Sequence, residues 1–414
     1  MRLLWLCNVA PGLIQGGKQD GGLWIDSVLK GLRKKESATI RILFPDGRLL
    51  DGEIDSRCSY ASFAGKLPYQ YLPEQEAFFK KEVGQFRPDI IQIWGTEYGH
   101  TLAMITAAEQ LGMLDRTIIH IQGLCSVIAR HYSEGVPHAV QHGYTFRDFI
   151  RQDNIAQQQK KFVLRGELEE KALKKASHAL GRTDWDKACT TQINPEVTYH
   201  FGNETLREAF YDGQWKYENC QKHRIFASSC AYPVKGFHYL LEAFAEVLKC
   251  YPDATLAVPG KSCFPKTFND RLRLGSYQKY LGKLIRQYGL EDRVEFLGSL
   301  SAEQMKENYL KANVFALPST IENSPNSLGE AMLLGVPCVA SDVGGVTSML
   351  THNQEGFVYQ STAPYMLAHY IKNAFAMGEA AEKMGMAASI HARQTHDPEA
   401  NLQRLLKIYE DLIP

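Results

Sequence analysis

Two carboxylates, Glu322 and Glu330, frame a short stretch in which Ser324, Pro325, Asn326 and Ser327 read as the start of a helix. The chemistry this arrangement offers is anion binding. The first amides of a helix have no intrahelical acceptor, and the helix dipole places partial positive charge behind them. The N–H groups of Asn326 and Ser327 are therefore candidates to hold a phosphate. Pro325 contributes no N–H, and a capping Ser324 competes for the same donors, so this cradle has fewer donors than a glycine-rich loop. Asn326 and Glu330 lie four positions apart and share a helix face.

The elements around these residues position them. The apolar run over residues 314–317, ended by Pro318, predicts a buried parallel strand. Ser324 suits an N-cap and Pro325 the first helical position, so the helix is expected over 325–334. Gly335 closes it, Pro337 prevents its continuation, and a second strand starts at Cys338. A strand-helix-strand unit of this kind puts the helix N-terminus at the carboxyl end of a strand, where open α/β sheets bind ligands.

The pair Glu-x7-Glu, with the apolar stretch that follows it to Gly344-Gly345, resembles the signature of glycosyltransferase family 4, a family of retaining enzymes. The resemblance implies an α/β chain of the GT-B fold, two Rossmann-like domains facing across a cleft, and covers most of the chain. It gives Glu322 a place against hydroxyls of a donor sugar and Glu330 a place at the nucleotide ribose. Lys235-Gly236 matches the family's Arg-x4-Lys-Gly element, whose two cations clamp the donor diphosphate, but Cys230 stands where the Arg is expected. Gly21-Gly22, at the start of a predicted helix, resembles the paired glycines that approach the donor phosphates. The loop lacks GxGxxG, which argues against a dinucleotide fingerprint. Gln122-Gly123 replaces the His-Gly found beside the reacting sugar in the family, with His120 two residues earlier on the same strand face.

The loop over 95–100 follows a predicted strand, and its Glu97 and His100 are either residues lining an acceptor pocket or ordinary polar loop residues. The expected activity is retaining transfer from a nucleotide sugar, UDP- or GDP-linked, to a hydroxyl of a sugar or lipid-linked saccharide, in polysaccharide or glycoconjugate biosynthesis. Lys235 and Glu322 are the expected catalytic residues, and the resemblance implies no cofactor, no metal and no covalent enzyme intermediate. Two rivals remain: a sugar-nucleotide epimerase of the same fold, and a degenerate nucleotide or sugar binder, suggested by Cys230 and Gln122.

A chain of 414 residues exceeds one ordinary core. The alternation of strands and helices predicts a first domain over 1–203 and a second over 204–397; the resemblance implies that the first binds the acceptor and the second the donor, and that a final helix over 398–414 joins the first. Within the first, residues 45–53 read as turns between a strand at 40–44 and later elements. The 46 basic and 46 acidic residues balance, so no global field draws in nucleic acid. Nine cysteines without CxxC pairs suit reduced thiols in a cytoplasm. The apolar run at the N-terminus is too short for a leader and reads as a strand, and no run is long enough to span a membrane.

Residues 126–165 are aromatic and mixed in charge. They are read as a solvated helix or, alternatively, as an amphipathic piece in weak contact with the inner membrane surface. Asp184-Trp-Asp186 matches the metal-binding Asp-x-Asp of the GT-A fold, a reading rejected because acids in a first helical turn complement the dipole.

Overall fold

The computed structural model describes residues 1–14, 23–35, 38–65 and 67–413. The chain forms two compact units, neither contiguous in sequence. The first takes residues 1–129, 161–206 and 395–414, and the second takes 130–160 and 207–394.

The first unit is built on an eight-stranded sheet. Its strands are β1 (Arg2–Cys7), β2 (Thr39–Pro45), β3 (Asp51–Asp55), β4 (Cys58–Phe63), β5 (Ile90–Trp94), β6 (Thr117–His120), β7 (His178–Gly181) and β8 (Thr198–Phe201). They lie in the order β3-β4-β2-β1-β5-β6-β7-β8. Five consecutive side chains of β1 and all five of β5 are buried, the mark of parallel strands covered on both faces. Only β3 runs antiparallel to its neighbour. It replaces the second of the expected turns, at 51–53, whereas the first is present as a turn at Gly47-Arg48, between β2 and β3. Asp51, Gly52 and Glu53 look like turn residues because an edge strand is half-exposed and tolerates charge.

The Pro398–Leu412 helix packs Leu402, Leu405, Leu406 and Tyr409 into one apolar cluster with Trp5, Ile42 and Ile90. The buried Tyr409 hydroxyl donates to Gln92 Oε1 at 3.1 Å. Gln92 is a polar residue in the middle of a buried strand, and this bond satisfies part of what its burial would cost.

The second unit holds a six-stranded parallel sheet of β9 (Arg224–Ala227), β10 (Thr255–Val258), β11 (Val294–Phe296), β12 (Val314–Leu317), β13 (Cys338–Asp342) and β14 (Phe357–Gln360), ordered β11-β10-β9-β12-β13-β14. Each sheet has one place where the strand order reverses: between β1 and β5 in the first, and between β9 and β12 in the second. At such a point the two loops diverge and leave room for a ligand.

Residues 130–160, expected with the first domain, pack in the second. The Asp148 carboxylate accepts from Ser276 N at 2.9 Å, Thr320 Oγ1 donates to His131 O at 3.0 Å, and His238 Nε2 lies 3.0 Å from Glu134 O. These contacts span a hundred residues or more, so no local pattern announces them. The outer boundaries fall at 206/207 and 394/395, against 203/204 and 397/398 expected from the sequence. Among the described residues no helix is long and apolar enough to cross a membrane.

Candidate functional site

In the second unit, Lys235 and Glu322 occupy the two loops that diverge at the β9–β12 reversal. Lys235 ends a short 3-10 turn, Pro233–Lys235, and Glu322 lies in the loop after β12. Their side chains meet, with Lys235 Nζ 2.6 Å from Glu322 Oε1, and Ser319 Oγ donates to the same oxygen at 2.7 Å. Two glycines hold this loop from either side. Gly236 has φ of 62°, and a Cβ there would sit 1.7 Å from Pro318 O; Gly344 has φ of 51°, and a Cβ there would sit 1.9 Å from Glu322 O. Neither position admits a side chain without moving backbone. The neighbouring Gly345 N–H donates to Glu322 O at 3.1 Å, and Thr320 N–H to Val234 O at 2.9 Å. The carboxylate is thus placed by a braced loop rather than a free one.

The helix that follows spans Asn326–Leu333, with Pro325 as its N-cap residue and no side-chain cap. This corrects the expectation that Ser324 caps it and Pro325 occupies the first turn. Ser324 Oγ turns instead to Met349 Sδ at 3.4 Å. The first bonds of the helix run from Leu328 N and Gly329 N to Pro325 O, which leaves the Asn326 and Ser327 amides outside the ladder. With no competing cap, both remain available as anion donors. Asn326 Oδ1 is buried without a hydrogen-bond partner, a costly state that a ligand's donor would relieve. Ser327 O accepts from the buried Tyr309 hydroxyl at 2.9 Å, which fixes the first turn from behind.

Glu330 is buried, and both its oxygens are taken by Arg207, through Nε and Nη2 at 2.7 Å each. Burial raises the pKa of the Glu330 carboxyl above its ordinary value, and the guanidinium offsets only part of that rise. A bidentate Arg–carboxylate pair of this geometry fixes the plane of the carboxylate. Arg207 was not foreseen. It lies 123 positions before Glu330, flanked by Leu206 and Glu208, and no spacing rule links the two. Cys230, which stands in the place of the family's Arg, is buried, with its thiol directed at Pro259 O, 3.5 Å away.

At the β1–β5 reversal of the first unit the chemistry is different. Asn8, at the end of β1, bridges two candidates: its Nδ2 donates to Glu97 Oε2 at 2.7 Å, and its Oδ1 lies 2.8 Å from His100 Nε2. The amide thereby fixes the imidazole as the Nε2–H tautomer. His100 is not in the loop but in the first turn of the Gly99–Gln110 helix. Burial holds its pKa down at about 3 and raises that of Glu97. With Pro45, Pro68, Gln70 and Tyr98, His100 lines a hollow of about 180 Å³.

Gln122 belongs to a separate buried network. Its Nε2 contacts His120 Nδ1 and Glu204 Oε1, each at 2.5 Å, and Arg182 Nη1 donates to Glu204 Oε2. Burial and the nearby Arg182 keep His120 neutral. One more buried carboxylate escaped the sequence reading. Glu169 accepts from Thr96 Oγ1 at 2.6 Å, Cys125 N at 3.0 Å and Ser126 N at 3.1 Å, tying together the loops after β5 and β6. Desolvation raises its pKa to about 7. In sequence it is one of three acids in a surface-like helix, and nothing marks it out.

Gly21 and Gly22 lie outside the described residues. Asp186 of the Asp-x-Asp triplet is spent locally: it completes a capping box with Thr183 and accepts from Arg182 N at 2.9 Å.

Solved structures align over the whole chain. Sucrose-phosphate synthase from Thermosynechococcus elongatus matches with a TM-score of 0.71 at 16% identity, covering 100% of this chain and 99% of that one. An Anabaena protein in complex with UDP-glucose matches with a TM-score of 0.68 at 19% identity, covering 99% and 100%. The fold is GT-B.

Within it, residues 217–391 match the family Glycosyl transferases group 1, so the matched part holds Lys235, Glu322 and Glu330. Curated relatives align more locally. An uncharacterized glycosyltransferase of Methanocaldococcus jannaschii is 30% identical over 136 residues, covering 33% of this chain and 31% of that protein. The D-inositol 3-phosphate glycosyltransferase of Corynebacterium efficiens is 28% identical over 167 residues, covering 39% and 36%. The chain thus spans about a third of the length of these two curated relatives. What the GT-B chain shares with them is a segment, while what it shares with the solved structures is the whole fold.

Proposed function

We propose that this chain is a retaining glycosyltransferase that moves a sugar from a nucleotide diphosphate sugar to an acceptor hydroxyl. The observation that carries this reading is the grouping at the β9–β12 reversal: a lysine, a carboxylate and two helix-start amides left outside the helix ladder. A diphosphate leaving group develops charge as the sugar departs, and preorganised positive groups act most strongly on such charge. Lys235 and the Asn326 and Ser327 amides supply them.

The Lys235–Glu322 contact suggests how donor binding proceeds. The ammonium exchanges Glu322 for the diphosphate, and the freed carboxylate accepts hydrogen bonds from hydroxyls of the sugar. Glu330, oriented by Arg207, retains lone pairs for ribose hydroxyls. UDP-sugars are the favoured donors, because the Anabaena neighbour was solved with UDP and with UDP-glucose. No metal enters this scheme, in line with the family resemblance. The proton of the acceptor hydroxyl passes to the departing phosphate oxygen. Glu97 and His100, beside the hollow in the first unit, are candidates for the acceptor side, which we place in polysaccharide or glycoconjugate assembly.

The test is thermal melting of wild type and Lys235→Ala with UDP, GDP, ADP and CMP, followed by incubation with the matching UDP- or GDP-sugars and NMR of any glycoside formed. Ligand at about 100 times its dissociation constant stabilises by about 2.7 kcal/mol. A uridine-specific shift that weakens in Lys235→Ala, with product retaining the anomeric configuration, supports the reading. If no nucleotide shifts the wild type, the donor assignment fails. If UDP binds and sugar is neither transferred nor hydrolysed, the chain is a binder.

A further inference from the structure

The second unit carries a surface that the transfer reading does not use. The short Phe146–Arg151 helix and the residue pair before it leave large apolar side chains in solvent: Tyr144 is 56% exposed, Phe146 60%, Phe149 64% and Ile150 64%. A second short helix, Phe268–Leu272, adds Phe268, 72% exposed. The two helices line one hollow of about 610 Å³, with Phe146, Ile150 and Leu272 as apolar wall and Arg151, Lys261 and Arg273 around it. Single exposed apolar residues need no explanation, but a cluster on two adjoining elements marks an interaction site.

The charge around this cluster has one sign. Residues 259–275 hold Lys261, Lys266, Arg271 and Arg273 against a single acid, Asp270, which caps its own helix through Thr267. On the other element, Asp148 is buried and accepts from Ser276, while Asp153 is paired with Arg147 at 3.0 Å. Arg151, Lys261 and Arg273 are exposed, and no ion pair holds them among the described residues. In a chain with no net charge, the acids here are spent inward and the bases point outward.

We propose that this face docks on an anionic phospholipid bilayer, with Phe146, Phe149, Ile150 and Phe268 entering the headgroup layer and the basic residues meeting lipid phosphates. Aromatic and aliphatic side chains flanked by Arg and Lys are the composition that layer accepts, because the long basic stems lie along apolar surface while their charges stay wet. The capping boxes of both helices, Thr145 with Asp148 and Thr267 with Asp270, keep these short pieces formed without help from the bilayer. The surface is preformed, and docking need not order it. The proposal goes beyond glycosyl transfer and is tested without any sugar donor, so either can fail alone.

The experiment is vesicle flotation of the full chain, at low and high salt, with phosphatidylcholine alone and with phosphatidylcholine containing phosphatidylglycerol. Wild type is expected to float only with the anionic vesicles, and less at high salt. Arg151→Ala and Arg273→Ala should each lower partitioning about fivefold. The double variant Phe149→Asp with Ile150→Asp should abolish flotation, and Tyr365→Ser, an exposed apolar residue elsewhere on the same unit, should float like wild type. All variants change exposed side chains, and matching thermal melts would show that they fold. The proposal is overturned if wild type stays unbound to anionic vesicles, or if the patch variants float as well as wild type. It is also overturned if the patch variants abolish a dimer seen by gel filtration while flotation is unchanged.

Discussion

The two reversal points of the GT-B chain carry polar residues in the same topological place and treat them in opposite ways. At β1–β5, Asn8, Glu97 and His100 satisfy one another: the amide gives its N–H to the carboxylate and its oxygen to the imidazole, and burial keeps the imidazole neutral. At β9–β12, the lysine is part-exposed, two helix amides lie outside the ladder, and Asn326 Oδ1 is buried with nothing to accept from. A closed network defines a shape; an incomplete one defines a demand. The first suits recognition of a neutral hydroxyl by surface and a few dipoles, the second a ligand that brings charge. Folding stability and donor binding should therefore respond to mutation at different points.

The strongest test breaks the pair behind the second site. Arg207→Ala leaves the Glu330 carboxylate buried without its cation and is expected to destabilise by about 3–5 kcal/mol in urea unfolding. Replacing both partners by Met should recover much of that loss while nucleotide binding stays weak. If Arg207→Ala is neutral, the ion pair does not hold the helix. Lys235→Ala is expected to lower turnover by about 100- to 1000-fold with little change in melting temperature, since its ammonium is part-exposed. Equal loss of stability would make Lys235 a structural residue and erase the contrast.

The next test reads the first unit through pH. Glu169 has an ordinary value of 4.5 and a folded value of about 7. A raised folded value means that its contribution is fully present below 4.5 and is lost as pH rises through 7. The expected loss is about 3 kcal/mol, visible as falling stability over that window and absent in Glu169→Gln. His100 works the other way: with its folded value near 3 against 6.5, its contribution is present above 6.5 and lost as pH falls toward 3. The smallest effect belongs to Asn8→Ala, which removes one side-chain partner from each of Glu97 and His100 at the reversal. About 1–3 kcal/mol of stability should go, with nucleotide binding in the second unit intact. A loss of nucleotide binding would couple the two points.

The second site was the more legible in sequence because its parts are local. Strand, Pro318, Glu322, helix and Gly335 fall within a few turns of one another, and their order alone places Glu322 at a strand end. The cap was misassigned because Ser324 and Pro325 each fit two adjacent positions by type, and only the backbone decides between them. Arg207, Glu169, Asn8 and the packing of 130–160 were illegible for one shared reason. Each acts on a residue that is distant in sequence, and a buried ion pair or a buried carboxylate leaves no period or motif in the chain. The antiparallel β3 was hidden by its charged residues, which serve an edge strand as well as a turn.

The Pro398–Leu412 helix, whose Leu402, Leu405 and Tyr409 complete the apolar cluster around β1, sets an order on biosynthesis. β1 precedes that helix by the rest of the first unit and all of the second, so its cover arrives only after all of 207–394 has been made. At ribosomal rates of 5–20 residues per second, this interval is roughly ten to forty seconds. During it, the face of the first sheet that receives this helix stands open, while the second unit, complete by residue 394, is free to fold. The nascent chain is therefore expected to need shielding at β1 and its neighbours, and a truncation before residue 398 should yield aggregation in the first unit while sparing the second.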